Sequence, residues 1–190
     1  TVAHELAHQW WGKLMGWKSY RDQWLSESLA DYSAVLYLQS QSKRQSVYLA
    51  EHAKEWKQSL SQTTLDGRSL ESLGPVVMGQ RLNSGLSDRA YQAVVYGKGP
   101  LVFGMLGRAV GEDKLALMLK HLVKALSNQP IDTETFLAAI EKMGSVNLSS
   151  FSKQFVYGTG TPEIYYSLQF KQSGEGRWEV QGEARQTITP

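Results

Sequence analysis

Two histidines and a glutamate stand in the run His4-Glu5-Leu6-Ala7-His8. On a helix this H-E-x-x-H spacing puts both imidazoles on one face, one turn apart, able to share a tetrahedral metal with Glu5 projecting beside them. A catalytic zinc takes three protein ligands and keeps one position for water, so the motif requires a third ligand. Glu27, in the run WLSESLADY, follows His8 with 18 residues between them, and an antiparallel helix pair would bring its carboxylate to the same ion. Asp31 lies four residues beyond Glu27, on the same face, where it would accept the free ring N–H of a ligand histidine.

Each residue also has a plainer reading. H-E-x-x-H arises by chance on amphipathic helices, and Glu27 or Asp31 taken singly would be a solvated helix carboxylate. The helical setting, the glutamate at this distance and the aspartate one turn on are separate requirements, and together they make one Zn2+ the expected cofactor. His52 and His121 each sit alone in an amphipathic helix and read as structural or surface residues. Trp10 and Trp11 read as core packing.

Helices must carry these groups. TVAHELAHQWWG reads as a helix ended by Gly12. A short connection through Gly16 to Tyr20 leads to Asp22, an N-cap candidate, and to a second helix reaching about Gln41, with Leu25, Leu29, Tyr32 and Leu36 along one face. Leu49, Ala53, Trp56 and Leu60 predict a third helix over 46–62. Residues 63–87, with Asp66-Gly67, Gly74-Pro75, Gly79 and Asn83-Ser84-Gly85, predict a long irregular connection suited to the wall of a cleft. Helical character returns near Asp88 and resumes after Gly99-Pro100, and further helices are predicted over 113–126, 133–143 and 148–156. From Pro162, IYYSLQF and RWEVQGEARQTIT favour strands around a turn at 173–176. The expectation is a mainly α domain over 1–161, with a hairpin over 162–190 opening a β domain.

Composition narrows the partners. With 190 residues, 42% of them hydrophobic, the chain can bury one good core. Basic and acidic residues nearly balance, for a net charge of +2, which points to neither nucleic acid nor an anionic membrane. No cysteine is present, so any transition metal must use histidine and carboxylate. No apolar run approaches the roughly 20 residues that cross a bilayer. Nothing in the sequence assigns a compartment.

HELAHQWWG followed by WLSESLADY resembles the aminopeptidase N family of gluzincin zinc metallopeptidases, with its pattern H-E-x-x-H-x(18)-E. The family usually has glycine after the glutamate, where this chain has Ser28. Asp31 is similar to the aspartate of the N-E-x-x-S-D helix in thermolysin-like enzymes, which orients a histidine ligand. VVYGKGPLVFGML resembles the family's Y-x-K-G stretch, and the resemblance makes Tyr96 the phenol that stabilises the tetrahedral intermediate. Without it, Tyr96 would be one of nine tyrosines packed at a helix start. Tyr91 has a counterpart in some members, and Lys98 belongs to the signature; G-x-x-x-x-G-K-[ST], the phosphate-binding alternative, is absent.

The resemblance spans about residues 1–165. It implies the helical C-terminal subdomain of a thermolysin-like catalytic domain, with His4, His8 and Glu27 on zinc, Glu5 as base and a peptide as substrate. The family's amine-binding G-x-M-E-N segment does not occur in the chain. The expected behaviour of these 190 residues is therefore metal binding with weak or no peptidase activity, and self-association through a face around Val2 and Leu6. A thermolysin-like endopeptidase, disfavoured by Y-G-K-G, and a non-catalytic helical module with a relic zinc site are the alternatives.

Overall fold

A computed structural model describes residues 2–42, 45–84 and 87–189. They form two units, 1–159 and 160–190. The first is helical and holds every predicted site residue; the second is a hairpin. No helix among the described residues is long and apolar enough to cross a membrane.

Helix α1 spans Val2–Ala7, shorter than the predicted helix over 1–12. Past Ala7 the bonds first tighten, from the N–H groups of Gln9 and Trp10 to the carbonyls of Leu6 and Ala7, and then widen, from those of Lys13, Leu14 and Met15 to His8, Gln9 and Trp10. The regular pattern is thus lost before Gly12, whose φ of 118°, a backbone conformation closed to most side chains, then turns the chain. The predicted connection after it contains a strand, β1 (Met15–Trp17), paired in parallel with β2 (Gln129–Ile131). Three residues on each side gave no period-2 pattern long enough to read.

Helix α2 (Gln23–Gln41) is the central element, burying Trp24, Leu25, Leu29, Tyr32 and Val35. Asp22 stands at its N-cap position, yet its side chain caps nothing in α2. One carboxylate oxygen instead accepts from the Ser19 N–H and hydroxyl, and the other from the Thr133 N–H and hydroxyl. Four donors satisfy a buried charge and fasten the start of α2 to the start of α7 (Thr133–Gly144). Trp24 adds an indole N–H bond to Thr133 and stacks at 5.4 Å on Phe103, which meets Phe136 edge-on.

Helix α3 (Gln45–Leu60) leads to the irregular stretch, where short 3₁₀ turns form at Leu70–Leu73 and Val76–Leu82. An open cavity of about 400 Å³ borders that stretch, lined by Thr63, Thr64, Leu70, Ser87, Asp88 and Arg89, and contains none of the predicted site residues. Helices α4 (Ala90–Ala93) and α5 (Gly99–Val110) are joined without interruption by a π turn, Val94–Lys98. The break expected at Gly99-Pro100 is thus a change of helical pitch. Lys98 of the π turn is buried on Glu71 at 2.6 Å and also donates to the Gly158 carbonyl. Helices α6 (Glu112–Ala125) and α7 follow, then α8 (Ser149–Phe151) with a second π turn, Ser152–Val156.

Asp132 caps α7, accepting the Thr135 N–H at 2.7 Å, and pairs with Lys18 at 3.0 Å. The Thr135 bonds, with help from Lys18, lower its pKa from 3.8 to about 2. A carboxyl depressed on folding stabilises the native state above its unfolded pKa and loses that contribution as pH falls through its folded one. Replacing Asp132 with alanine should cost about 1 kcal/mol at neutral pH, the ordinary worth of such a cap. The gap between variant and wild type should close between pH 4 and pH 2, as urea titrations at each pH would show.

In the second unit, β3 (Thr161–Gly174) and β4 (Arg177–Thr189) pair antiparallel. Ile164, Tyr166, Leu168 and Phe170 share one face with Trp178 and Val180, while Lys171 opposite Glu179 and Ser167 opposite Glu183 lie on the other. The strand tail expected from Pro162 is present.

Candidate metal centre

The early end of α1 and the first turns of α2 bring three ligand atoms together. The Nε2 atoms of His4 and His8 lie 3.0 Å apart, and Oε2 of Glu27 lies 3.4 Å from His8 Nε2 and 3.7 Å from His4 Nε2. Zinc bonds of 2.0–2.1 Å in a tetrahedron imply ligand separations of roughly 3.3 Å, which these three edges bracket. Among the described residues, this trio forms a cluster able to hold a metal.

The opposite ring nitrogens decide what the cluster offers. His8 Nδ1 lies 2.8 Å from the Trp11 carbonyl, which only accepts, so Nδ1 carries the hydrogen and Nε2 the lone pair. His4 Nδ1 lies 2.7 Å from Oδ1 of Asp31, with the same consequence. Neutral imidazoles held in this way present two Nε2 lone pairs beside a carboxylate oxygen, a donor set that fits zinc. Burial raises the Asp31 carboxyl above its ordinary value, and the neighbouring His4 pulls the other way.

Tyr96 donates its hydroxyl to Glu27 Oε2 at 2.7 Å, and its ring lies 6.0 Å from that of His4. Burial and the bond to Glu27 hold this phenol well above the usual tyrosine range, so it stays protonated at neutral pH and remains a donor. Tyr91 meets Tyr96 edge-on at 5.8 Å, and burial raises its pKa as well. Glu5 shares a helical turn with both histidines but is exposed to solvent, beside the cluster. His121 is exposed, and His52 pairs with Glu55 on α3, away from the trio in sequence and in contacts.

Sequence reasoning missed Trp11 and Ser26 as parts of the centre. Trp11 is buried, as core packing requires, but its carbonyl also orients His8 and accepts the Ser26 hydroxyl at 2.7 Å. Its indole N–H reaches Ser33 at 2.9 Å, so two serines of α2 hold the residue that orients His8. A Cβ on Gly12 would lie 2.7 Å from the Ser26 Oγ, so the glycine also leaves room for that bond. No side-chain motif announces a backbone acceptor. Trp10, expected in the core, is 46% exposed, because the early end of α1 turns it outward.

Residues 1–155 match the Peptidase family M1 domain. Aminopeptidase M1 of Arabidopsis thaliana is 32% identical over 197 residues, covering 95% of this chain and 21% of the relative. Aminopeptidase M1-B of Oryza sativa subsp. japonica is 28% identical over 171 residues, covering 88% and 18%. Among solved structures, the M1 zinc metallopeptidase from Deinococcus radiodurans superposes with a TM-score of 0.63 at 26% identity, covering 84% of this chain and 33% of that one. Leukotriene A4 hydrolase from Saccharomyces cerevisiae shares the fold, with a TM-score of 0.60 at 23% identity over 84% of this chain and 26% of that one. The chain spans about a fifth of the length of the two plant aminopeptidases.

Proposed function

Because the chain belongs to peptidase family M1, we propose that its helical unit is the metal-holding and proton-transferring part of a zinc metallopeptidase of aminopeptidase type. The observation that carries this reading is the convergence of His4 Nε2, His8 Nε2 and Glu27 Oε2, each within 4.8 Å of the others. The names of the plant relatives support the aminopeptidase assignment, with a peptide as substrate.

His4, His8 and Glu27 would hold the zinc, which would supply Lewis acidity to acidify water and polarise a carbonyl. The side chains do the rest. Asp31 and the Trp11 carbonyl keep both imidazoles in the tautomer that presents Nε2. Glu5, exposed beside them, takes the proton of the attacking water and returns it to the leaving amine. Tyr96, kept protonated, donates to the oxygen on which negative charge develops. Tyr91 packs the Tyr96 ring from the side and so limits where its hydroxyl can go.

Metal analysis of protein purified without chelator tests the reading. One zinc per chain is expected, with a position left for water; no retained zinc, or a fourth protein ligand closing the site, would overturn it.

The outer side of α1 bears on association. Val2 and Leu6 are 87% and 59% exposed. Burying such a face is worth about 25 cal/mol per Å², so mass measured by light scattering should rise with protein concentration and fall back when Leu6 is replaced by Glu. A strict monomer at high concentration would refute this.

A further inference from the structure

Ser28 is fully buried and is the residue at which this chain departs from the glycine usual in the similar aminopeptidase N family. Its hydroxyl donates to the carbonyl of Val95 at 2.7 Å. That carbonyl lies in the π turn, where the Gly99 N–H reaches back five residues to Val94. Continued by one residue, this pattern sets the Val95 carbonyl against the nitrogen of Pro100, which has no hydrogen to give. Ser28 supplies the missing donor from another helix. Gly99 is packed directly on the Ser28 side chain, so close that a Cβ there would overlap the hydroxyl.

The two ends of this contact are each one residue from the metal centre. Ser28 follows Glu27 on α2, and Val95 precedes Tyr96 in the π turn. Adjacent pairs therefore form a double clasp, Ser28 to the Val95 carbonyl and Tyr96 to Glu27. The wider π register fixes the direction in which Tyr96 leaves the helix, and an unsatisfied buried carbonyl at Val95 would favour a change of register. We infer that Ser28 is a positioning residue: by closing the π turn at Val95 it holds the Tyr96 hydroxyl on Glu27. The catalytic consequence rests on the function proposed above, whereas the geometric claim does not.

The test uses the 190-residue chain without metal, labelled with ¹³C at tyrosine Cζ, the Tyr96 signal being the one lost in Y96F. In S28A that signal should move in the same direction as in E27Q, where the accepting carboxylate is removed, while the signals of tyrosines outside the centre hold their positions. Should S28A fail to fold, S28C preserves the packing with a weaker donor and should shift the signal part of the way. A Tyr96 signal unmoved in the folded variant overturns the inference, whether or not the protein binds zinc. In an active preparation containing the chain, S28A should lower kcat roughly tenfold with little change in KM and cause no further loss in a Y96F background. Independent, additive losses would show that Ser28 does not act through Tyr96.

Discussion

His8→Ala should bind zinc far more weakly than the wild-type chain, by well over the roughly 10–100-fold that loss of an outer hydrogen-bond partner costs a metal site. His8 Nε2 supplies one of three converging donors, 3.0 Å from His4 and 3.4 Å from Glu27, and alanine leaves the remaining two without a third. Asp31→Ala provides the graded comparison. It keeps all three donors but frees His4 Nδ1 from its 2.7 Å bond, so the loss should fall within about 10–100-fold. Competition against a chromogenic chelator measures both. Equal losses would mean that Asp31 does more than orient His4, and an unchanged affinity in His8→Ala would remove the metal centre altogether.

Glu5→Gln should separate metal binding from turnover. The side chain is exposed and lies outside the trio, so the amide should leave zinc affinity near wild type. An amide of the same shape cannot take the proton of water, and general-base catalysis is typically worth about 10²–10⁴ in rate. In any active polypeptide that includes these residues, kcat should fall by about that factor. Zinc lost together with activity would make Glu5 part of the metal shell, and turnover at the wild-type rate would dismiss it as the base.

The parts legible in the sequence are those expressed through side-chain spacing. His4, His8, Glu27 and Asp31 follow the helical repeat, and the structure gathers all four. The α2 stripe and the terminal hairpin were equally readable, because the first is a long periodic run and the second a long run of strand-forming residues on either side of a turn. Other features rest on the backbone and escaped. α1 gives way after Ala7 to tighter and then wider backbone bonds, and β1 and β2 are only three residues each. Asp22 occupies an N-cap position but spends its oxygens on Ser19 and Thr133, a tertiary demand that local preference does not encode. Gly99-Pro100 read as a helix start; the π turn before it absorbs the proline within a continuous helix, a solution that depends on a donor from α2.

The two histidines differ in how they are held, and that difference sets their exposure to genetic change. His4 leans on a carboxylate that a single codon change can erase, whereas His8 leans on a main-chain oxygen that every amino acid carries. In a saturation library scored for zinc retention, position 31 should therefore tolerate few replacements. Position 11 should be selected for bulk and for its contact with Ser33 alone, leaving the second imidazole the less fragile of the pair.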